Sequence, residues 1–266
     1  MTAAGGAAAG GAALVTLHAW RVPPTGIPGA LWRMAVDRRR LRRTPGVAFA
    51  KLLGTGRGSS FGPATGDLTR WVAMVGWDDA AAAAGFDRTP VGRDWARLAT
   101  AACRLTLRPI SSRGTWAGRE PFRAAGRDLS RAARDGAGRD GAGRDGAGRD
   151  GAEPGAPILV LTRARLRASR AATFWRAIDP VADALAGAPG LLTALGVGEA
   201  PLGFQGTVSV WRSAADVAEF AYRQPQHAAV VTRTPVERWY AEELFARFTV
   251  LDVSGDPGVI GWTAGT

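Results

Sequence analysis

The two histidines are the first candidates for a chemical role in this sequence. His227 lies just after Pro225, which interrupts a predicted helix, and the aromatic Tyr222 precedes both. A neutral imidazole at a helix break, beside aromatic side chains, meets the requirements of an axial ligand to haem iron. A packed or surface histidine would have the same sequence context, so both interpretations stand at this point. His18 lies in the middle of a predicted strand and is expected to be structural.

The only lysine, Lys51, is the second candidate. Counting with the period of two of a β-strand places it on the same face as Val47, Phe49 and Leu53, so the ammonium is expected to point into apolar surroundings. A buried ammonium needs an anionic partner, such as a carboxylate or a propionate. The alternative is a lysine on an edge strand whose long side chain reaches solvent.

The remaining motifs exclude several classes of site. The glycines of Gly54–Gly58 are followed by a loop and not by a helix, so no helix N-terminus is offered to a dinucleotide pyrophosphate. Two distant histidines cannot form a zinc-binding helix, and no serine lies in a nucleophile elbow. Because Cys103 is the single cysteine, the chain has no internal disulfide and no cluster of thiolate ligands.

The net charge of +11 is concentrated in the first 118 residues. Arginines crowd the end of a predicted helix, where they suit the helix dipole and could face an anionic surface or simply be solvated: Arg38, Arg39, Arg40, Arg42 and Arg43. A basic module for nucleic acid is disfavoured, because the second half is neutral and has no aromatic RNA-binding signature. No apolar stretch is long enough to cross a bilayer and no export signal is recognised, so a cytoplasmic location is expected.

A repeated Arg-Asp-Gly-Ala-Gly unit, over Arg134–Glu153, divides the chain into two halves that resemble each other. Each half is predicted to contain four strands and two helices in the order β-α-β-β-α-β. The predicted strands are 14–22, 51–56, 71–77 and 104–110 in the first half, and 158–166, 193–198, 207–211 and 247–253 in the second. The first helices open at Leu31 and Phe174, and the second helices begin near Asp78 and Ser213 and are interrupted at Pro90 and Pro225.

This order is that of the ferredoxin-like unit, an antiparallel sheet with helices on one face. The predicted fold class is therefore α+β, with two tandem ferredoxin-like repeats that set their bare faces together as an intramolecular dimeric α+β barrel, and with room for a ligand between sheet and helices. The expected organisation is a tail (1–13), a first repeat (14–118), a flexible linker (119–157), a second repeat (158–253) and a C-terminal tail (254–266). An added helical segment, Thr234–Tyr240, favours the second repeat as the location of the site.

Several motifs, in order along the chain, resemble the spheroidene monooxygenase (acyclic carotenoid 2-ketolase) family. They are Leu31-Trp32, Thr44-Pro45-Gly46, Lys51–Gly56, Ser111–Gly118 with Pro121-Phe122, Gly196–Glu199, Tyr222-Arg223 with His227, and Trp239–Phe248. The resemblance covers about residues 14–253. It implies a haem enzyme that inserts oxygen from O₂ into an apolar carotenoid and forms a ketone, on a build similar to that of aldoxime dehydratases.

The resemblance also implies roles for individual residues. His227 would be the proximal ligand of the haem iron, with Arg223 about one helical turn away to pair with a propionate and Tyr222 beside them. The candidates for the pocket wall or for propionate contacts are Lys51, Arg113 and Trp116. An electron donor such as a ferredoxin or a reductase is implied, and peripheral contact with a membrane is compatible with the basic first half. The alternative hypotheses are a haem dehydratase or peroxidase of the same fold, a cofactor-free oxygenase, and the basic binding module.

Overall fold

The computed structural model describes residues 11–58, 65–124, 155–167, 169, 184–200, 204–223 and 240–262. Within these ranges the chain forms eight strands: β1 (Leu14–Arg21), β2 (Val47–Gly56), β3 (Gly66–Trp77), β4 (Ala101–Gly114), β5 (Ile158–Leu166), β6 (Leu191–Ala200), β7 (Phe204–Trp211) and β8 (Tyr240–Gly255). The longer helices are α1 (Ile27–Arg42), α2 (Ala80–Ala84), α3 (Pro90–Leu98) and α4 (Ala214–Arg223). The predicted α+β class is confirmed.

The strands close into one antiparallel barrel in the order β1-β3-β2-β6-β7-β5-β8-β4. The first half supplies β4-β1-β3-β2, and the second supplies β8-β5-β7-β6 in the same spatial order. Two pairings join the halves. One is the long ladder of β4 with β8, and the other is the short contact of β2 with β6, where Gly54 lies opposite Gly198. The closed order leaves neither half with an unpaired edge.

The side chains that point into the barrel form the main apolar core. Inward positions alternate along each strand, as in Leu159 and Leu161 of β5 or Leu195 and Val197 of β6. A second core lies on the outer face of the first half, where Trp20, Trp71 and Trp77 pack under α1 and α3. A smaller core on the outer face of the second half lies under α4 and includes Trp211 and Val217.

The helices of the first half begin differently from the sequence-based prediction. Helix α1 starts at Ile27 with a proline in its first turn, ahead of the expected start at Leu31. Asp79 caps α2 by accepting a hydrogen bond from the amide of Ala82, where Asp78 had been expected to mark the start. Pro90 does not merely interrupt a helix but begins α3. The fixed φ of proline suits a first helical position, and the side chain of Thr89 caps the helix.

The second helix of the second half starts as predicted, because the Ser213 hydroxyl accepts a hydrogen bond from the amide of Asp216 at 3.2 Å. Strand β8 begins at Tyr240 and is longer than the expected 247–253. The rest of the added segment, residues 234–239, and most of the helix expected from Phe174 fall outside the described residues, as does the Arg-Asp-Gly-Ala-Gly repeat.

Two segments expected in a linker and a tail contribute to the core. Phe122 packs inside the barrel against Phe248, with ring centroids 5.0 Å apart. After β8, residues Pro257–Ile260 form a 3₁₀ turn that buries Val259 and Ile260. Apolar side chains separated from the strands by a short loop can thus fill the openings of the barrel. Among the described helices, none combines the length and the apolar character needed to cross a bilayer.

Candidate functional site

Lys51 points into the barrel, on the same face of β2 as Phe49 and Leu53. Val47 does not share this face, because a register shift between Val47 and Phe49 reverses the alternation, and it packs on the outer core instead. The anionic partner of Lys51 is a carboxylate of the other half: its Nζ lies 2.7 Å from Oε2 of Glu199 on β6. The ammonium therefore forms a partly buried ion pair across the two halves.

Trp116 and Arg163 complete the surroundings of this carboxylate. The indole Nε1 of Trp116 donates to Oε1 of Glu199 at 2.6 Å, and Nη2 of Arg163 lies 3.3 Å from the same oxygen. Both cations also face the Trp116 ring, with Lys51 Nζ at 5.5 Å and Arg163 Cζ at 5.4 Å from a ring centroid. The Lys51 and Trp116 candidates are thus brought together by one carboxylate.

A second carboxylate, Glu242 on β8, pairs with Arg163 from the other side. Its Oε1 also accepts a hydrogen bond of 2.7 Å from the amide of Gly118 and one of 3.2 Å from the hydroxyl of Thr115. These contacts hold the tight turn after β4, in which Ala117 has a φ of 56°. A left-handed conformation is unfavourable for alanine and persists only where neighbouring contacts fix it.

Electrostatics keep both carboxyl groups ionised. Burial of Glu199 opposes its ionisation, but hydrogen bonds from Lys51 and Trp116 and the charges of Lys51 and Arg163 outweigh this, so its pKa lies below the ordinary value. Burial of Glu242 is likewise outweighed by the amide of Gly118 and by Arg163, which lower its pKa to about 2. These charged and polar side chains form one connected group inside the barrel, here called the interior cluster: Lys51, Trp116, Arg163, Glu199 and Glu242.

Sequence reasoning missed three members of the interior cluster, although a signal was present. Arg163 shares its strand parity with the inward Leu159 and Leu161, and Glu242 shares the parity of Leu244. The alternation that identified Lys51 would have placed both charges inside as well. Their pairing could not be predicted, because it depends on which strands meet in the closed barrel.

The outer faces of the two halves differ in side-chain volume. Both halves start from equivalent pairs, Leu14 with Trp77 and Ile158 with Trp211. Four residues further along the first strand of each half, the first half has a row formed by His18, Ala73 and Leu52. The equivalent row of the second half is Thr162, Thr207 and Gly196. Glycine thus stands in place of leucine and threonine in place of histidine, whereas the alanine is replaced by a larger threonine.

The next row shows the same contrast. In the first half, Trp20 stacks on Trp95 of α3 with ring centroids 4.9 Å apart, and the tilted ring of Trp71 lies 6.1 Å from that of Trp95. The positions equivalent to Trp20 and Trp71 are Ala164 and Gln205 in the second half. Indole rings fill the space between sheet and helix in the first half, whereas the equivalent strand positions of the second half hold an alanine and a glutamine. We call this surface of Thr162, Ala164, Gly196 and Thr207 the outer floor.

Arg113 belongs to the outer side of the second half. Its neighbour Ser112 pairs with the inward Ala246, whereas Arg113 pairs with Phe245 on the opposite face. The guanidinium carbon lies 5.3 Å from the centroid of the Phe245 ring. Phe245 is also the partner of Thr162 on β5, so Arg113 lies beside the outer floor and not in the interior cluster.

Helix α4 covers part of the same side. Phe220 of α4 packs on Trp211, with ring centroids 5.2 Å apart, and Tyr222 and Arg223 are the last residues of this helix. His227 lies outside the described residues, so the predicted iron ligand stays a prediction. Among the described residues, no group of three or more histidine, cysteine or acidic side chains could hold a metal ion.

His18 is buried among aromatic rings, as expected of a structural histidine. Its Nε2 and the Thr16 hydroxyl are 2.9 Å apart. The centroid of its ring lies 3.9 Å from that of the Phe86 ring. Burial and, to a smaller extent, the charge of Arg104 lower its pKa to about 3. The imidazole is therefore neutral at physiological pH and part of the packing under α3.

Comparison with known proteins adds to this geometry. No family model matches the chain. An aldoxime dehydratase superimposes with a TM-score of 0.53 at 14% identity, covering 90% of this chain and 81% of that one. A second aldoxime dehydratase, solved with butyraldoxime, gives 0.52 at 12% identity, with 90% and 79% covered. At these identities the likeness concerns the fold alone.

Three curated relatives are named spheroidene monooxygenase. That of Rhodobacter capsulatus is 30% identical over 230 residues, which are 86% of each chain. That of Rubrivivax gelatinosus is 33% identical over 211 residues, or 79% of this chain and 72% of the relative. That of Cereibacter sphaeroides is 26% identical over 227 residues, or 85% and 62%. Identity sustained over most of both chains shows that this protein belongs to the spheroidene monooxygenase family.

Proposed function

We propose that the protein is a haem-dependent monooxygenase that forms a ketone on an acyclic, apolar carotenoid. The observation that carries the proposal is the 30% identity to a spheroidene monooxygenase across 86% of each chain. The substrate class follows from the name of those relatives, and the haem follows from the resemblance described above. The electron donor is proposed to be a ferredoxin or a reductase, because the insertion of one oxygen atom from O₂ and the reduction of the other to water consume two electrons from outside the substrate.

The outer floor of the second half is the surface to which we assign the haem. Gly196 and Ala164 have small side chains at positions where the first half has Leu52 and Trp20, and a flat macrocycle needs such a surface. Arg113 provides a cation beside this surface for a propionate. Arg223 ends the helix that covers the same side, and His227, four residues later, is the proposed iron ligand.

A haem in this position supplies the binding and activation of molecular oxygen. The protein provides the surroundings. The apolar cluster of Ile158, Trp211 and Phe220 borders the outer floor and would hold a long apolar substrate while excluding water. Arg113, oriented by the Phe245 ring, would fix one edge of the cofactor. Lys51 and Trp116 point to the opposite side of the sheet, where Glu199 holds both, and we assign them to joining the halves.

We further propose that the two halves are copies of one ferredoxin-like unit. Both use the same turn before their second strand: Gly46 and Gly190 each have a φ of +78°. The carbonyl of Gly46 accepts from the amide of Asp78 at 2.9 Å, and that of Gly190 accepts from Arg212 at 2.8 Å. An added Cβ would meet the following helix in each case, so only glycine fits both turns.

Absorption spectra of the purified protein and of His227→Ala test the cofactor. We expect an intense haem band in the wild type that is lost or shifted in His227→Ala and kept in the matched variant His18→Gln, since His18 packs under α3. A colourless preparation that stays so after reconstitution with hemin would contradict haem dependence. Turnover of spheroidene with O₂ and a reductant then tests the reaction. If the haem-loaded protein dehydrates butyraldoxime and leaves spheroidene unchanged, the proposed reaction is overturned.

A further inference from the structure

Helix α1 presents an exposed face that the proposed reaction does not use. Its buried side consists of Ala30, Met34, Asp37 and Leu41. On the opposite side, Trp32 is 64% exposed and Leu31 is 48% exposed. Large apolar side chains with this exposure on the same helical turn are unusual for a face that meets only water.

Arginines continue the same face toward the end of the helix. With 100° per residue, Arg39 and Arg43 lie almost in line with Trp32, and Arg42 lies beside them. These three are exposed, and none has an ion pair with another side chain in the part of the chain that the structure describes. We call Leu31, Trp32, Ala35, Arg39, Arg42 and Arg43 the α1 surface.

The other arginines of this helix are already engaged. Nη1 of Arg40 lies 3.5 Å from the buried carboxylate of Asp37 and 3.7 Å from that of Asp94. Nη2 of Arg38 donates to the backbone carbonyl of Glu199 at 2.6 Å. The cationic character of the α1 surface thus comes from side chains that are free to meet an outside partner.

We infer that the α1 surface docks on a bilayer containing anionic phospholipid. Tryptophan and leucine enter the boundary between headgroups and acyl chains, and arginines on the same helix are attracted to the headgroup charge. The two kinds of side chain follow one another on a convex helix, so a flat, deformable surface can contact both together. A second copy is disfavoured as the occupant, because symmetric pairing of this face would bring two sets of unpaired arginines together.

Sedimentation with vesicles tests the inference without substrate, reductant or added cofactor, so it can fail while the proposed reaction stands. We expect the protein to sediment with vesicles of phosphatidylcholine and phosphatidylglycerol, much less with phosphatidylcholine alone, and less as salt is raised. The triple variant Arg39→Glu/Arg42→Glu/Arg43→Glu should bind at least about tenfold more weakly. Trp32→Ala should bind several-fold more weakly at unchanged net charge.

The matched control is Arg165→Glu/Arg167→Glu/Arg212→Glu, which changes the net charge equally through exposed arginines of the second half. It should retain most of the binding, and circular dichroism should show that all variants are folded. Absence of sedimentation with the mixed vesicles would overturn the inference. An equal loss of vesicle binding in the control would also overturn it, because it would indicate attraction by net charge alone. A dimer in solution that Trp32→Ala dissociates would overturn it as well.

Discussion

At the scale of single residues, the interior cluster shows how a carboxylate is kept charged inside a barrel. Glu242 accepts hydrogen bonds from the turn after β4 and pairs with Arg163, which is nearly completely buried. Removing the carboxylate would take one ion pair from this guanidinium, whose pair with Glu199 at 3.3 Å would stay. The cluster is therefore most sensitive at its acidic members, because each neutralises buried positive charge.

The pKa of Glu242 predicts a specific dependence of stability on pH. The folded-state pKa of about 2 lies below the ordinary value of 4.5, so the carboxylate stabilises the fold above about pH 4.5 and this contribution is lost as pH falls toward 2. Glu242→Gln should lower the free energy of unfolding at pH 7, and the difference from wild type should shrink between about pH 5 and pH 2. Urea unfolding at several pH values measures this difference in the free energy of unfolding. A difference that stays constant with pH would contradict the low pKa of Glu242.

At the scale of elements, strands β5, β6 and β7 differ from β1, β2 and β3 in one respect that matters for function. At the positions of His18, Trp20 and Leu52 the second half has smaller residues, while the strand order is the same. The first half uses its outer face as core. In the second half, the surface with these smaller side chains is the one proposed for the haem.

Filling this floor should prevent cofactor binding. Gly196→Leu copies Leu52 of the first half and is expected to abolish the haem band, because the leucine side chain would occupy the surface proposed for the macrocycle. The control is Val160→Leu, which enlarges a residue packed at the apolar end of the same face and should retain the band. Absorption spectra measure both after circular dichroism has shown a folded protein. A normal haem band in Gly196→Leu would remove the outer floor as the site.

At the scale of the whole molecule, the ion pair of Lys51 with Glu199 joins the halves near the short contact of β2 with β6. Glu199→Gln should lower the free energy of unfolding by about 2–3 kcal/mol, less than for a fully buried pair because Glu199 is 22% exposed. Lys51→Met/Glu199→Gln should recover much of this loss, because no unpaired ammonium remains and the amide oxygen of the glutamine can still accept the hydrogen bond of Trp116.

Urea unfolding followed by tryptophan fluorescence measures these differences. Asp252→Asn, at an exposed position of β8, is the control and should change stability by less than about 0.5 kcal/mol. If Glu199→Gln proved as stable as the control, the pair would not hold the halves together. If the double variant were less stable than Glu199→Gln, the charges themselves would be required.

The sequence by itself determined the α+β class, the position of most strands and the family. These properties depend on local alternation, on capping residues and on ordered motifs, which are all readable along the chain. Only the tertiary structure decided that Glu199 holds both Lys51 and Trp116, that Arg113 lies on the other side of the sheet, and that Phe122 and Ile260 enter the core. Those contacts arise when distant strands pair and the barrel closes, because closure and not sequence distance sets which side chains become neighbours.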